Sequence, residues 1–318
     1  MSTQAAFAPD NSPLEVLPRD LSAYRHGNTG IAYVHRFESG RAGPHVLINA
    51  LTHGNEIYGM VAATHLLDTG VRPKIGTLTV SFANVEAYEA FDIDRPYENR
   101  QLVHNLNRIW SPEMLDGSEQ SPELRRAREL RPVLAAADSI LDIHSTRAPV
   151  QPFWVYPEFE RNAGLALAVG NPLVHLVMPP GSAPGTGVMS YARHGDPASD
   201  SLGAVVVECG QHFARSSADL ATDVTLRFLA HHGLIDAMPA PADSAPARRF
   251  RLLEVHLVQT PQFAFARPVI GFETFAKGEL IAVDADKEIR SPCDGCTIFM
   301  PTREPVVGRE GVYLTVQV

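Results

Sequence analysis

The sequence is poor in cysteine. Its 318 residues hold three, Cys209, Cys293 and Cys296. That is too few for a disulfide framework and fits a reducing cytoplasm, the expected location. No apolar run approaches membrane-spanning length, so no transmembrane helix and no membrane partner are expected. The opening stretch, MSTQAAFAPDNSPLE, lacks a basic start and an apolar core, and no secretory signal is expected there. Positive charge is also short. Lys and Arg number 27 against 36 Asp and Glu, a net charge of −9. This balance argues against a nucleic-acid partner, although a locally positive pocket is compatible with it.

What is present is ordinary globular composition, 45% hydrophobic and 20% charged. The length suits one large α/β domain with a smaller companion. Residues 1 to about 20 carry Pro and Asp without periodicity and read as a loose lead-in. Ile31 to Phe37 and Val46 to Leu51 read as strands. A helix follows from Ile57, with Met60, Val61, Thr64 and Leu67 on one face, ended by Gly70 and Pro73. Leu78 to Ala83 is the next strand. Residues 84 to 121 show no long periodic segment, and their polar, aromatic and Arg content suggests a wall of a site. Ser121-Pro122-Glu123 opens a helix that Pro132 should kink or break. Further strands are expected over Ser139 to Ile143, Phe153 to Tyr156, Leu173 to Met178 and Gly203 to Val207. Ser216-x-x-Asp219 resembles a capping box and should start a helix running to about His231. Arg125, Arg126, Arg128 and Arg131 are expected on a solvated helix face.

Residues 239 to 248 are Pro- and Ala-rich and read as a linker. The expected organisation is therefore a large α/β unit over 1–238, a linker over 239–248 and a small β unit over 249–318. Cys293-x-x-Cys296 has no second pair, and its Asp-Gly centre reads as a turn.

Three strands end in pointed chemistry. His53 and Glu56 follow the first, His144 the second, and Glu208 the third. Two imidazoles and one carboxylate make a three-ligand zinc set with a fourth position open for water, as in catalytic sites. Zinc would activate that water as the nucleophile. Glu208, unligated, suits the general base that takes the proton and passes it to the leaving amine. Asp142 precedes His144 by two and shares its strand face. It is expected to accept the spare N–H of a zinc-bound imidazole, His53 in preference to its own neighbour. His104 and His212 lie close to these motifs and are secondary candidates for substrate contact.

Four segments in order, His53-Gly54-Asn55-Glu56, Asn105-Leu106-Asn107-Arg108, Asp142-Ile143-His144 and Val207-Glu208-Cys209-Gly210, resemble the succinylglutamate desuccinylase/aspartoacylase family. This is a branch of the zinc carboxypeptidase-like hydrolases. Pro292-x-Asp294-Gly295 and the segment to Tyr313 resemble its C-terminal β domain. The resemblance implies an α/β fold, a mixed, mostly parallel sheet flanked by helices, with a smaller all-β domain covering the site. It implies one zinc per subunit on His53, Glu56 and His144, and hydrolysis of the amide bond of a small-molecule N-acyl amino acid. Glu208 matches the general base and acid, and Arg100 the arginine that polarises the scissile carbonyl. Asn107 and Arg108 match the pair that holds the substrate carboxylate, and Tyr313 a substrate-reaching tyrosine. Three departures stand out. The usual first Asp of D-L-N-R is Asn105. The stretch from Asn84 to Arg100 is long, so the oxyanion arginine is Arg95 or Arg100. Thr186 to Asp200 offers only Arg193 for an aspartate side chain, at an unusual spacing, which weakens N-acetylaspartate as substrate. The alternatives are a metallocarboxypeptidase acting on peptides and a non-catalytic binding protein on the same fold. The acyl group, the amino acid and any homo-oligomeric state stay open.

Overall fold

The computed structural model describes residues 13–239 and 245–318. The expected lead-in falls outside them at residues 1–12, and the linker at residues 240–244. Strands β1 (Val34–Glu38), β2 (His45–Ala50) and β3 (Thr77–Phe82) come first, with helix α1 (Tyr58–Asp68) between β2 and β3. Short helices α2 (Val85–Glu89) and α3 (Pro112–Asp116) precede α4 (Pro122–Ala136). Then follow β4 (Ser139–Thr146), β5 (Phe153–Pro157), α5 (Glu160–Val169), β6 (Val174–Met178), β7 (Gly203–Gln211) and α6 (Arg215–His231). The C-terminal part is all β: β8 (Arg248–Leu257), β9 (Ala264–Phe265), β10 (Thr274–Phe275), β11 (Leu280–Asp284), β12 (Lys287–Arg290), β13 (Cys296–Phe299) and β14 (Glu310–Gln317).

Eleven strands form one mixed sheet in the order β1-β3-β2-β4-β7-β5-β6-β8-β14-β13-β10. The run β3-β2-β4-β7 is parallel throughout. Every residue of β4 and β7 is buried, which explains their unbroken apolar character. Burying each of Val205, Val206 and Val207 stabilises by about 1.5–3 kcal/mol relative to exposure. Helices α1, α5 and α6 share an apolar cluster with one face of the sheet. Helix α4 shares another, with Leu47, Ile140 and Ala204 on the opposite face. A smaller antiparallel sheet, β12-β11-β9, lies in the C-terminal part. Strands β8 and β14 extend the large sheet beyond β6, and Phe250, Phe299 and Tyr313 share a cluster with Phe153 and Leu176. Tyr313 is thereby carried on sheet backbone that continues from β6 through β8.

Several local expectations need correction. Strands β4 and β7 run past Ile143 and Val207, so His144 and Glu208 lie within them, as direct partners in register. Pro132 does not break α4; Leu130 and Leu134, on either side of it, are fully buried in one cluster. Ser216 is no cap, because α6 already starts at Arg215, after Ala214. Arg126 and Arg128 are not solvated: Arg126 donates to the carbonyls of Ala32, Phe82 and Ala83, and Arg128 to those of Leu115, Gly117 and Glu119. The inward face of α1 uses Gly59, Ala62, Ala63 and Leu66 as well as Met60 and Thr64. A Cβ on Gly59 would lie 3.1 Å from the Ala50 Cβ, so small residues set how closely α1 approaches β2.

The segment from 84 to 121 is irregular apart from α2 and α3, and it is held by α4. Ser121 caps α4 by accepting from the Leu124 N–H at 3.0 Å. The fully buried Glu123 carboxylate accepts from the backbone N–H groups of Leu102, Val103 and His104 at 2.6, 3.3 and 3.1 Å. Nothing in the spacing of Glu123 announced this strap, since its partners come from a chain segment without periodicity. Glu123→Ala should destabilise the protein by at least about 1.5–3 kcal/mol, the worth of a charge-assisted bond. The expected readout is a lower urea midpoint at constant slope; an unmoved midpoint would show that the strap contributes nothing.

Candidate functional site

Strand β2 ends in a sharp change of direction. Leu51 adopts a left-handed φ of 60°, unusual for a residue with a Cβ. The Asn84 N–H donates to its carbonyl at 2.8 Å and holds it there. Such strain costs on the order of 1–3 kcal/mol and persists where the surroundings over-determine it. Gly54 does not have a positive φ. It is required for close approach: a Cβ would sit 2.4 Å from the Ala87 carbonyl carbon and 2.6 Å from the Asn99 oxygen. The Gly54 N–H donates to the Arg100 carbonyl at 2.9 Å, tying the turn to the irregular segment.

This turn delivers His53 and Glu56 to His144 on the adjacent strand. Ligand atoms of the three lie within 4.8 Å of one another. The residues are 1%, 2% and 2% exposed. Glu56 Oε1 lies 2.8 Å from His53 Nδ1, and Oε2 lies 2.9 Å from His144 Nδ1. Each imidazole is oriented from its far side. His144 Nε2 donates to Asp142 Oδ2 at 2.8 Å, and His53 Nε2 donates to Asn105 Oδ1 at 2.9 Å. Asp142 therefore holds its own strand neighbour and not His53, because residues 142 and 144 project from one face of β4. Its Oδ1 accepts from Asn49 Nδ2 and the Thr52 hydroxyl. The partner of His53 is Asn105, which also accepts from the Asn107 N–H at 2.9 Å.

The electrostatics follow from burial. His53 is pushed down to about 4, first by burial and then by the charge of Arg100. Burial also works against the charge on His144, but Asp142 and Glu56 outweigh it and hold His144 well above the ordinary imidazole range. Burial raises Glu56, and the charges of His53, His144 and Arg100 more than reverse this, so it stays ionised. Two oriented imidazoles whose remaining nitrogens converge on one buried carboxylate fit a divalent cation of the zinc type.

Glu208 stands beside His144, one strand away. Its Oε2 is buried with no hydrogen-bond partner among the described residues. Burial pushes its carboxyl up to about 8, partly offset by His144. Arg100 is bonded through Nη1 to Glu56 Oε1 and lines the cavities on both sides of Glu208. Arg95 lies elsewhere, paired with Asp92 and Glu98 at the surface. A cavity of about 600 Å³ is lined by His53, Arg100, Asn107, Arg108, His144, Glu208 and Tyr313 together. A second, of about 330 Å³, adjoins it at Arg100, Glu208 and Glu310. The Asn107 side-chain oxygen accepts from the Val188 N–H at 2.9 Å. Arg193 is away from both cavities, on Asp138 and Asp200. His104 lines the first cavity with Nδ1 on the Ser121 hydroxyl, and His212 the second with Nδ1 on that of Ser145. Cys209 is a buried thiol, raised by burial and so neutral. Glu310, which pairs with Arg108 at 2.8 Å, was not singled out from the sequence. It lies far along the chain, and only the seating of β14 brings it there.

Comparisons with known proteins agree with this geometry. The chain resembles solved succinylglutamate desuccinylases from Vibrio cholerae, at 19% identity over 91% of this chain and 86% of that one, with a TM-score of 0.70, and from Chromobacterium violaceum, at 18% over 91% and 89%, with 0.66. A product-bound ectoine utilization protein from Ruegeria pomeroyi matches at 18% identity over 92% and 93%, with a TM-score of 0.62. At these identities the likeness establishes the fold. No curated protein sequence matches. The family model described as the succinylglutamate desuccinylase/aspartoacylase catalytic domain matches residues 42–216, more than half of the chain and the whole stretch from β2 to the start of α6. Residues 42–216 contain the turn of His53 and Glu56, the strand of His144 and the strand of Glu208, and the chain accordingly belongs to the succinylglutamate desuccinylase/aspartoacylase family of deacylase hydrolases.

Proposed function

We propose that this chain is a zinc-dependent hydrolase of the amide bond in an N-acyl amino acid, with Glu208 as general base and acid. The observation that carries the reading is the pairing of two features: a buried His53–Glu56–His144 donor set, and an unligated, unpartnered carboxylate oxygen on the neighbouring strand. His53, Glu56 and His144 would hold the ion. When bound there, zinc supplies Lewis acidity that polarises a carbonyl and lowers the pKa of water towards neutrality.

The chain's own residues supply the rest. Glu208 takes a proton at its carboxylate as water oxygen bonds to the acyl carbon. It then gives that proton to the amine nitrogen as the C–N bond breaks. Arg100, a fixed cation at the junction of the two cavities, would steady the negative charge that grows on the carbonyl oxygen. Asn107, Arg108 and Tyr313 wall the larger cavity and would position the amino-acid part of the substrate. A volume of about 600 Å³ suits a small molecule. Residues of the C-terminal part, Met300, Gly308, Arg309 and Tyr313, form one side of it, which favours a small acyl amino acid over a long peptide. That wall counts against the carboxypeptidase alternative.

Two measurements test the reading. Glu208→Gln keeps the size of the side chain but removes the proton acceptor. It should retain fold and bound zinc and lose about 10²- to 10⁴-fold in turnover of N-acetyl and N-succinyl amino acids. Loss of zinc in this variant would make Glu208 a ligand, and unchanged turnover would assign the base to another residue. Asn105→Ala removes the oxygen that orients His53. Zinc affinity, read by competition with a chelator, should fall about 10- to 100-fold. An unaltered affinity would show that His53 is positioned without Asn105, or is not a ligand.

A further inference from the structure

The two cavities meet at Glu208 and Arg100. An amide has two sides, the acyl group on its carbon and the amine on its nitrogen. Its carbon must lie beside Glu208 if that carboxylate is to serve the attacking water. With the amino-acid part set against Asn107, Arg108 and Tyr313 in the larger cavity, the acyl group falls to the smaller one. An acetyl group reaches one methyl beyond its carbonyl and would leave most of about 330 Å³ unfilled. A cavity of that size suits a bulkier group.

Much of its wall is apolar. Val150, Phe153, Phe272, Met300 and Val306 line it. The rings of Phe153 and Phe272 stand edge to face with centroids 5.8 Å apart, and Phe299 packs on both, at 5.4 and 4.4 Å. Such mutual packing fixes where the rings sit. Phe272 and Met300 also hold left-handed φ angles of 71° and 45°, which residues with a Cβ seldom adopt. The Phe272 N–H donates to the Ile298 carbonyl at 2.7 Å, which anchors it on β13. Backbone of this kind gathers at ligand sites, where the surroundings impose it.

The polar and ionised groups of the cavity answer one another. Arg100 is bonded to Glu56. Arg147 pairs with Glu304 at 2.8 Å, and its guanidinium carbon lies 4.4 Å from the centroid of the Tyr97 ring. Ser145 Oγ and His212 Nδ1 are 2.8 Å apart, and burial pushes His212 down to about 4, so it is neutral. Arg303 and Arg309 come from the loop between β13 and β14, and Glu304 and Glu310 belong to the same lining. A neutral acyl group leaves these pairings as they are and covers the apolar wall.

We infer that the smaller cavity is a subsite for a bulky apolar acyl group, of the class of an arylacetyl or a branched chain, in preference to acetyl or succinyl. This inference rests on the deacylase reading above. Its test is calorimetric binding of phenylacetate, acetate and succinate to the zinc-loaded protein, since each is an acyl product and requires no choice of amino acid. Phenylacetate should bind at least about tenfold more tightly than acetate, and more tightly than succinate, because each buried methylene is worth about a factor of four. Phe272 lines the smaller cavity and not the larger, so Phe272→Ala locates the effect: the preference for phenylacetate over acetate should fall to about threefold or less. An unchanged preference in that variant overturns the inference, as does wild type that binds acetate or succinate as tightly as phenylacetate. Should Phe272→Ala fail to fold, Val306→Ser takes its place, at a position that is 43% exposed. There the preference should fall at least about twofold, and an unchanged one overturns the inference equally. The kinetic counterpart is kcat/KM of wild type for the N-phenylacetyl, N-acetyl and N-succinyl derivatives of alanine, glutamate and lysine, expected in the same order. Turnover that ranks acetyl or succinyl first keeps the deacylase reading and overturns this inference alone. Absence of turnover for every derivative overturns both.

Discussion

A carboxylate that is 2% exposed must be paired, and Glu56 is paired on every side. It faces His53 and His144 through their Nδ1 atoms, is bonded to Arg100, and accepts from the Ser145 N–H at 3.3 Å. Three chain segments thus meet at one side chain: the turn after β2, strand β4 through His144 and Ser145, and the irregular stretch between β3 and α4. Removing any one of them leaves buried charge uncompensated, which is far more costly than losing a surface ion pair.

The irregular stretch is the least self-supporting of these segments, so its anchors matter most. Glu123 binds three successive backbone N–H groups at its centre. Asn105 then reaches His53, and Asn107 reaches the Val188 backbone. A neutral amide at position 105 accepts from both His53 and the Asn107 N–H without adding a further negative charge to a cluster that already holds Glu56, Asp142 and Glu208. Within the family pattern an acidic residue is usual at this place, and its replacement is compatible with the same orienting bond.

The C-terminal strands complete the same site from the far side. Tyr313 and Glu310 lie on β14, which joins the large sheet through β8, and both converge on Arg108. The cavity is consequently a product of two parts of the chain, one contributing the donor set and most of the wall and the other one side of it. Its charge balance depends on both.

The donor set was legible in the sequence because chemistry and local geometry coincide there. An apolar strand followed by a His and a Glu three apart, and two further strands carrying His144 and Glu208, place functional groups along a parallel sheet before any tertiary contact is known. Composition likewise determined the class of protein, and the 3.6- and 2-residue periods located most helices and strands. Partners across the fold were not legible. Asp142 was expected to serve His53, but strand alternation puts it against His144, and Asn105 takes the other imidazole. Arg126 and Arg128 looked like a solvated face and instead bind backbone carbonyls, Arg126 those at the end of β3 and of Ala32, Arg128 those of the segment leading into α4. Gly54 is necessary for its missing Cβ, which only the backbone of Ala87 and Asn99 packed against it reveals. The sequence favoured Arg100 and left Arg95 open as the alternative; the tie of the Gly54 N–H to the Arg100 carbonyl and the Arg100–Glu56 pair seat Arg100 at the cluster. Residue type and spacing along one strand or turn act over a few ångströms of contiguous chain, so the sequence by itself determined the donor set. Which side chain pairs with which depends on segments brought together from about 50 to about 200 residues apart, as for His53 with Asn105 and Arg108 with Glu310, and that was decided only by the tertiary structure.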